Sequence, residues 1–215
     1  MRTIKVTGKG EMHVHPDMTK VRITMKGRRK EYAETLRLST EDTAIIKECL
    51  AEFGFERKDL KTIRFDVDVD YEHYKEKGET KSRFVGYKYS HEMYVEFESD
   101  NKKLGKLLKA LSVCEVHPEF TFVYFVKDKE SAKNKLLELA VNDAKSKASI
   151  LARSASLVLK DILSIDYSWG RLNLEYRPLC FYEADIASND ESFDIDIEPE
   201  DIGLSDTVSI MWEIQ

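Results

Sequence analysis

The sequence predicts an α+β protein, and three observations carry that prediction. A run over residues 131–159 keeps one helical period with no Gly or Pro inside it. Two long alternating runs, residues 60–74 and 85–97, are separated by a short polar turn. The chain also opens and closes on alternating segments, with no helix after the last. Helices and strands are therefore interspersed along 215 residues, a length that fits one large domain or two smaller ones.

Taken in order, residues 3–7 alternate with Ile4 and Val6 on one face. Gly8-Lys9-Gly10 reads as a turn, after which residues 12–15 resume a kinked, edge-forming strand. Pro16-Asp17 punctuates it, and residues 18–27 then place Val21, Ile23 and Met25 on one side against Lys20, Arg22, Thr24 and Lys26. Residues 31–53 turn to a helical period through Leu36, Ile46, Leu50 and Phe53, and Gly54 is placed to end that helix in the left-handed conformation. In the first long alternation Ile63, Phe65, Val67, Val69 and Tyr71 share an apolar face opposite Arg64, Asp66, Asp68, Asp70 and Glu72. In the second, Val85, Tyr87, Tyr89, His91, Met93, Val95 and Phe97 line up, so the two make a hairpin whose apolar faces match in parity. An Asp70 to Lys88 ion pair across its outer face is expected from that register.

Residues 100–111 form a short amphipathic helix with Leu104, Leu107, Leu108 and Leu111 inward and Lys102, Lys103, Lys106 and Lys109 outward. A strand at 120–126 leads into the long helix, whose apolar stripe reads Leu137, Ala140, Ala144, Ala148, Leu151, Ala155 and Val158. Residues 162–169 read as a strand, and the acidic stretch 183–201, with no clear period, reads as a loop. Val208, Ile210, Trp212 and Ile214 form one face of the closing strand. With no helix to follow, it must join an earlier sheet, and the Val21/Ile23/Met25 strand is the expected neighbour, so that both termini share one sheet.

The composition, 42% hydrophobic and 34% charged with only 9 Gly and 4 Pro, describes a globular chain and excludes a disordered or fibrous one. No stretch resembles a membrane span or a secretory leader, so a cytosolic protein is expected. Cys49, Cys114 and Cys180 are far apart and odd in number, which suggests neither a disulfide framework nor a CxxC site and leaves free, half-buried thiols. The net charge of −6 hides an asymmetry: residues 1–177 carry +5, and from Pro178 onward there are 11 acids and no base.

Candidate chemistry is sparse. Gly8-Lys9-Gly10 lacks the third glycine and the following helix of a dinucleotide fingerprint, so no cofactor is expected there. His13 and His15 are two apart on an extended segment with Asp17 next in line, a spacing that suits a divalent transition metal, although a usual site needs further ligands. Asp66, Asp68, Asp70 and Glu72 diverge along one strand and read as a solvated face rather than a hard-cation site. Cys114 and His117 match no thiol-enzyme signature, and no GxSxG or HExxH occurs. The basic faces at 26–30 and at Lys102, Lys103, Lys106 and Lys109 have the charge to meet phosphates but lack interleaved stacking aromatics. A competing partner is the acidic stretch of the chain itself, with Asp194, Asp196 and Glu198 at its centre.

Several pieces of the sequence now fall into a family order: Val6-Thr7-Gly8-Lys9-Gly10 then Pro16-Asp17; Gly54 and Asp59; Gly86-Tyr87; Leu104-Gly105-Lys106-Leu107; the helix carrying Ala140, Ala144, Lys147, Ala148, Leu151 and Ala152; and Asp206-Thr207-Val208-Ser209-Ile210. In that order they resemble the SIMPL family, named for a signalling protein associated with a pelle-like kinase. The resemblance implies two subdomains, one of about 1–58 with 162–215, built from the terminal strands and the first helix. The other, about 59–161, is ferredoxin-like and holds the long helix. It further implies ring-like homo-oligomers and offers no catalytic residue to carry over. The expectation is a non-enzymatic, self-assembling binding or scaffold protein without cofactor or membrane span, whose ligand and protein partner the sequence does not name. The alternatives are a small-ligand protein or enzyme with a pocket between the subdomains, and a nucleic-acid-binding module.

Overall fold

The computed structural model describes residues 2–76, 79–167, 174–178 and 198–215. It is α+β, as expected, with helices and strands in two sheets. The elements are β1 (Arg2–Val14), β2 (Met18–Arg29), α1 (Tyr32–Glu52), β3 (Lys61–Glu76), β4 (Glu79–Glu98), α2 (Asn101–Val113), β5 (Glu119–Phe125), α3 (Lys129–Ser154), β6 (Leu159–Asp166), β7 (Glu175–Tyr176) and β8 (Ile202–Ile214). Two units emerge, the first from residues 1–17, 125–176 and 199–215, the second from 18–124 with 177–198.

In the first unit β8 lies between β1 and β6, both antiparallel to it. The termini do share a sheet, but the neighbour of the closing strand is β1 rather than β2. The 13 residues of each pair without a break, Arg2 opposite Ile214 through to Val14 opposite Ile202. Gly8-Lys9-Gly10 is therefore strand and not a turn, and the glycines serve close approach instead. A Cβ on Gly8 would stand 2.1 Å from the Ala140 carbonyl oxygen, and one on Gly10 would stand 2.2 Å from that of Leu136. Those carbonyls belong to α3, which lies directly on β1.

The long helix starts on a capped turn, with Asp128 accepting from the Ser131 amide at 2.9 Å. Its buried line is Ala132, Leu136, Ala140, Ala144, Ala148 and Ala152, spaced by four. The expected stripe is thereby corrected: Leu151 and Val158 are exposed, and Leu137 is half-buried. Close contact with a glycine-bearing strand selects small side chains, and the larger leucines are turned aside. Val6, Ile210, Val208 and Trp212 fill the space around the alanines, and Trp212 is buried.

The second unit runs β2-α1-β3-β4-α2-β5, with its strands ordered β3-β4-β2-β5. That is the ferredoxin-like succession. The ferredoxin-like part is present, but its helices are α1 and α2, while α3 packs on β1 and β8. The expected pairing of the first helix with the terminal strands, and of the long helix with the middle, is thus exchanged. Val21, Ile23 and Met25 oppose Val95, Met93 and His91, and Leu104, Leu107, Leu108 and Leu111 of α2 are all buried. Gly54, at φ +90, closes α1 with its amide on the Ala51 carbonyl.

Candidate functional site

The β3–β4 hairpin outruns the rest of its sheet. β2 ends at Arg29 opposite Tyr87, and the chain turns straight back into α1 at Tyr32. Beyond that point, among the described residues, two strands continue alone, paired through Tyr71 opposite Phe84 to Glu76 opposite Glu79. Parity between the strands is as expected, with Phe65 opposite His91, Val67 opposite Tyr89 and Val69 opposite Tyr87. A register shift at Asp70/Tyr71 then skips Val85 and brings Tyr71 opposite Phe84, so Phe84 takes the place on the apolar face that was expected for Val85.

Among the described residues no helix lies over the apolar face of this arm. Val69, Tyr71 and Phe84 are each 44% to 54% exposed, and Tyr32 at the start of α1 is exposed beside them. Their rings form an edge-to-face chain: Tyr71 to Phe84 at 6.2 Å, Phe84 to Tyr87 at 5.5 Å, and Tyr87 to Tyr32 at 5.4 Å. The other face is ionic. Asp70 takes both Lys88, at 3.5 Å, and Arg28, at 3.6 Å, while Arg83 holds Glu72 at 2.7 Å and Arg64 holds Asp66. The expected Asp70–Lys88 pair forms diagonally, since Asp68 is the residue directly opposite Lys88. With three of their carboxylates paired to cations, Asp66, Asp68, Asp70 and Glu72 make no hard-cation cage. One large apolar face and one charge-balanced face give the arm a defined side for contact.

A second feature lies where α1 crosses β4. The sheet-facing side of α1 is polar in its first half, through Thr35, Ser39, Asp42 and Thr43. The Tyr89 hydroxyl donates to Asp42, and burial together with that carboxylate pushes the phenol well above its ordinary range. His91 is buried between two threonines, its Nδ1 3.1 Å from Thr43 Oγ1 and its Nε2 2.9 Å from Thr62 Oγ1. Burial, and then the nearby Lys47 charge, lower the imidazole pKa, so the ring is neutral and uses one nitrogen as donor and one as acceptor. Beside it opens a cavity of 580 Å³ lined by Ser39, Thr43, Lys47, Arg57, Phe65 and His91, among others.

The residues singled out from sequence fare unevenly. His15 meets Asp201 at 3.0 Å, while Asp17 accepts from the Lys127 amide at 2.7 Å, and His13 sits opposite Gly203. They do not converge, and among the described residues no group of three or more His, Cys, Asp or Glu is placed to hold a metal. Lys102, Lys103 and Lys106 are exposed on α2, with Lys103 over the rings of Phe55 and Phe97, and Lys109 is half-buried. Asp194 and Asp196 lie outside the described residues, and Glu198 is exposed. In the basic stretch at 26–30, Lys26 is held by Glu119 at 2.7 Å and Arg28 by Asp70. Cys114 does not address His117; its sulfur lies 3.1 Å from that of Cys49. That pair, 65 residues apart in sequence, had no signal to announce it. His91 did have one, as a lone polar residue in the buried line between Tyr89 and Met93. Among the described residues no helix is long and apolar enough to cross a membrane.

A family model described as SIMPL, protein of unknown function (DUF541), matches residues 4–212. No curated protein matches the chain.

Proposed function

The chain belongs to the SIMPL family, and we propose that it works without catalysis as a self-assembling binding or scaffold module, joined through the apolar face of the β3–β4 arm. The observation that carries this reading is the chain of exposed rings from Tyr71 through Phe84 and Tyr87 to Tyr32. A contiguous apolar patch rimmed by charges is characteristic of contact surfaces. Half-exposed side chains of this size release about 1 kcal/mol each when a partner covers them. A second copy laying its own arm face to face satisfies both patches at once, as a two-fold contact does. A further joint, between the α2 lysines and the acidic stretch 183–201, is part of the same proposal and differs in being sensitive to salt.

The test is the absolute mass of the full chain by light scattering, at low and high salt, for the natural sequence and for Tyr71→Ser/Phe84→Ser. A discrete multiple of 24.9 kDa is expected, with the double variant shifted to smaller species. Loss of mass in high salt would assign the joint to the charged faces instead. A 24.9 kDa particle at both salts and at all concentrations would overturn the self-assembly reading.

The cavity beside His91 favours a second reading, a small-ligand protein. Among the described residues neither Lys47 nor Arg57 has an ion-pair partner, and they flank an aromatic wall with hydroxyls opposite. An anion with an apolar body fits that lining. Anilinonaphthalene sulfonate is the probe: its fluorescence titration should weaken in Lys47→Ala/Arg57→Ala and be unmoved by Phe84→Ser. The reverse pattern would return the binding to the arm.

A further inference from the structure

The sulfur atoms of Cys49 and Cys114 lie 3.1 Å apart, with the Cys49 thiol donating to Cys114. Cys49 sits on the last turns of α1, half-buried; Cys114 caps the C-terminus of α2 and is fully buried. The two helices pack side by side over the ferredoxin-like sheet, so the contact is fixed by the fold and not by a flexible tail. After Cys114 the chain turns tightly, the His117 amide returning to the Cys114 carbonyl at 3.0 Å, which holds the sulfur in place. Closing the remaining gap of about 1 Å to a sulfur–sulfur bond of about 2.05 Å needs only small side-chain rotations.

We propose that Cys49 and Cys114 are a redox-modification site, in which a low-molecular-weight disulfide oxidises the pair to an intramolecular disulfide that staples α1 to the end of α2. The half-buried Cys49 thiolate attacks one sulfur of the small disulfide and expels the other as a thiolate, giving a mixed disulfide. Buried Cys114, as thiolate, then attacks Cys49 Sγ, forming the Cys49–Cys114 bond and expelling the second small thiol. The protein loses two protons and two electrons, and the small disulfide gains both as two thiols. Burial, and then the neighbouring thiol, push Cys49 up to about 12, so the reduced pair is a poor nucleophile. Exchange is therefore slow at neutral pH, and proximity rather than thiol acidity selects this pair. A bond closing a loop across 65 residues restricts the unfolded chain strongly.

The experiment equilibrates the full chain, in a Cys180→Ser background, with oxidised and reduced glutathione over a range of ratios. Acid quenching, alkylation with iodoacetamide after unfolding in guanidinium at alkaline pH, and intact mass then count free thiols, and a non-reducing digest locates the link. The expected result is conversion from two alkylated thiols to none, with one crosslinked peptide containing Cys49 and Cys114. The melting temperature should rise by roughly 10 °C in the oxidised form, and Cys49→Ser should abolish both effects while melting like the reduced protein. Two thiols still alkylated at the most oxidising ratio would overturn the proposal. So would a glutathione adduct on Cys49 that never resolves onto Cys114.

Discussion

The interface of α3 with β1 and the face of the β3–β4 arm are both apolar in sequence, yet one is closed and the other open. Under α3 the residues are small: Gly8 and Gly10 on the strand face Ala140, Ala144 and the Leu136 carbonyl on the helix. Where the glycines lie, helix and strand backbones approach closely, and the larger Val6, Ile210 and Trp212 pack around the alanines beside them. On the arm the residues are large, Tyr71 and Phe84, and about half of each remains in solvent. The difference teaches that apolar bulk does not by itself mark the core. Close backbone approach makes a stable layer from residues of low hydrophobicity, whereas bulky rings stay exposed where no described element of the chain reaches them.

Substitutions in the two regions should differ in what they cost. The largest effect is expected from Gly8→Val, whose Cβ meets the helix backbone and not a movable side chain. It should cost 3 kcal/mol or more in chemical denaturation, because α3 must move away from β1; a tolerated valine would show that the helix does not sit so close. Trp212→Ala empties a buried site beside the same alanines and should cost about 3 kcal/mol by the same measurement. A smaller loss, about 1 kcal/mol, is expected when Asp128→Ala removes the cap of α3. In the second unit the neutral, buried His91 makes stability depend on pH. Its folded pKa lies below the ordinary 6.5, so the unfolded chain binds more protons as pH falls below that value. Stability should therefore decline from pH 6.5 downward and level off once the folded imidazole also protonates. Unfolding curves of His91→Gln should lose that slope. Least affected in stability is Phe84→Ser on the open arm, expected within about 0.5 kcal/mol of the natural protein. Its consequence should fall on assembly instead.

Much of the fold was legible because period two is hard to disguise. The runs holding Val21, Ile23 and Met25, and Val208, Ile210 and Trp212, could only be strands, and Gly54 could only follow a helix. Partner choice was less legible. Two amphipathic helices and two half-apolar sheets can be matched in more than one way, and the deciding feature, glycines at 8 and 10 facing alanines over 130 residues later, looks like a turn in isolation. The stripe of α3 was misread for the same reason: Leu151 is the more hydrophobic choice, but Ala148 and Ala152 are the ones a glycine strand admits. The candidate surface was half legible. Alternation identified Phe65, Val69, Tyr71 and Tyr87, but it chose Val85 where the register shift turns Phe84 onto that face, and it could not say that β2 stops at Arg29. Cys49 and Cys114 carried no local signal, since their meeting depends on how α1 and α2 pack.

Hydroxyl-radical footprinting of Tyr71 and Phe84 as a function of protein concentration asks whether the arm face is covered by a second copy. If the arm is the joint between copies, modification of both rings should fall as concentration rises, while exposed Tyr74 at the far end of β3 serves as an internal reference that changes less. Equal modification of Tyr71 and Phe84 at every concentration would contradict the account and leave the open face without a partner of its own kind.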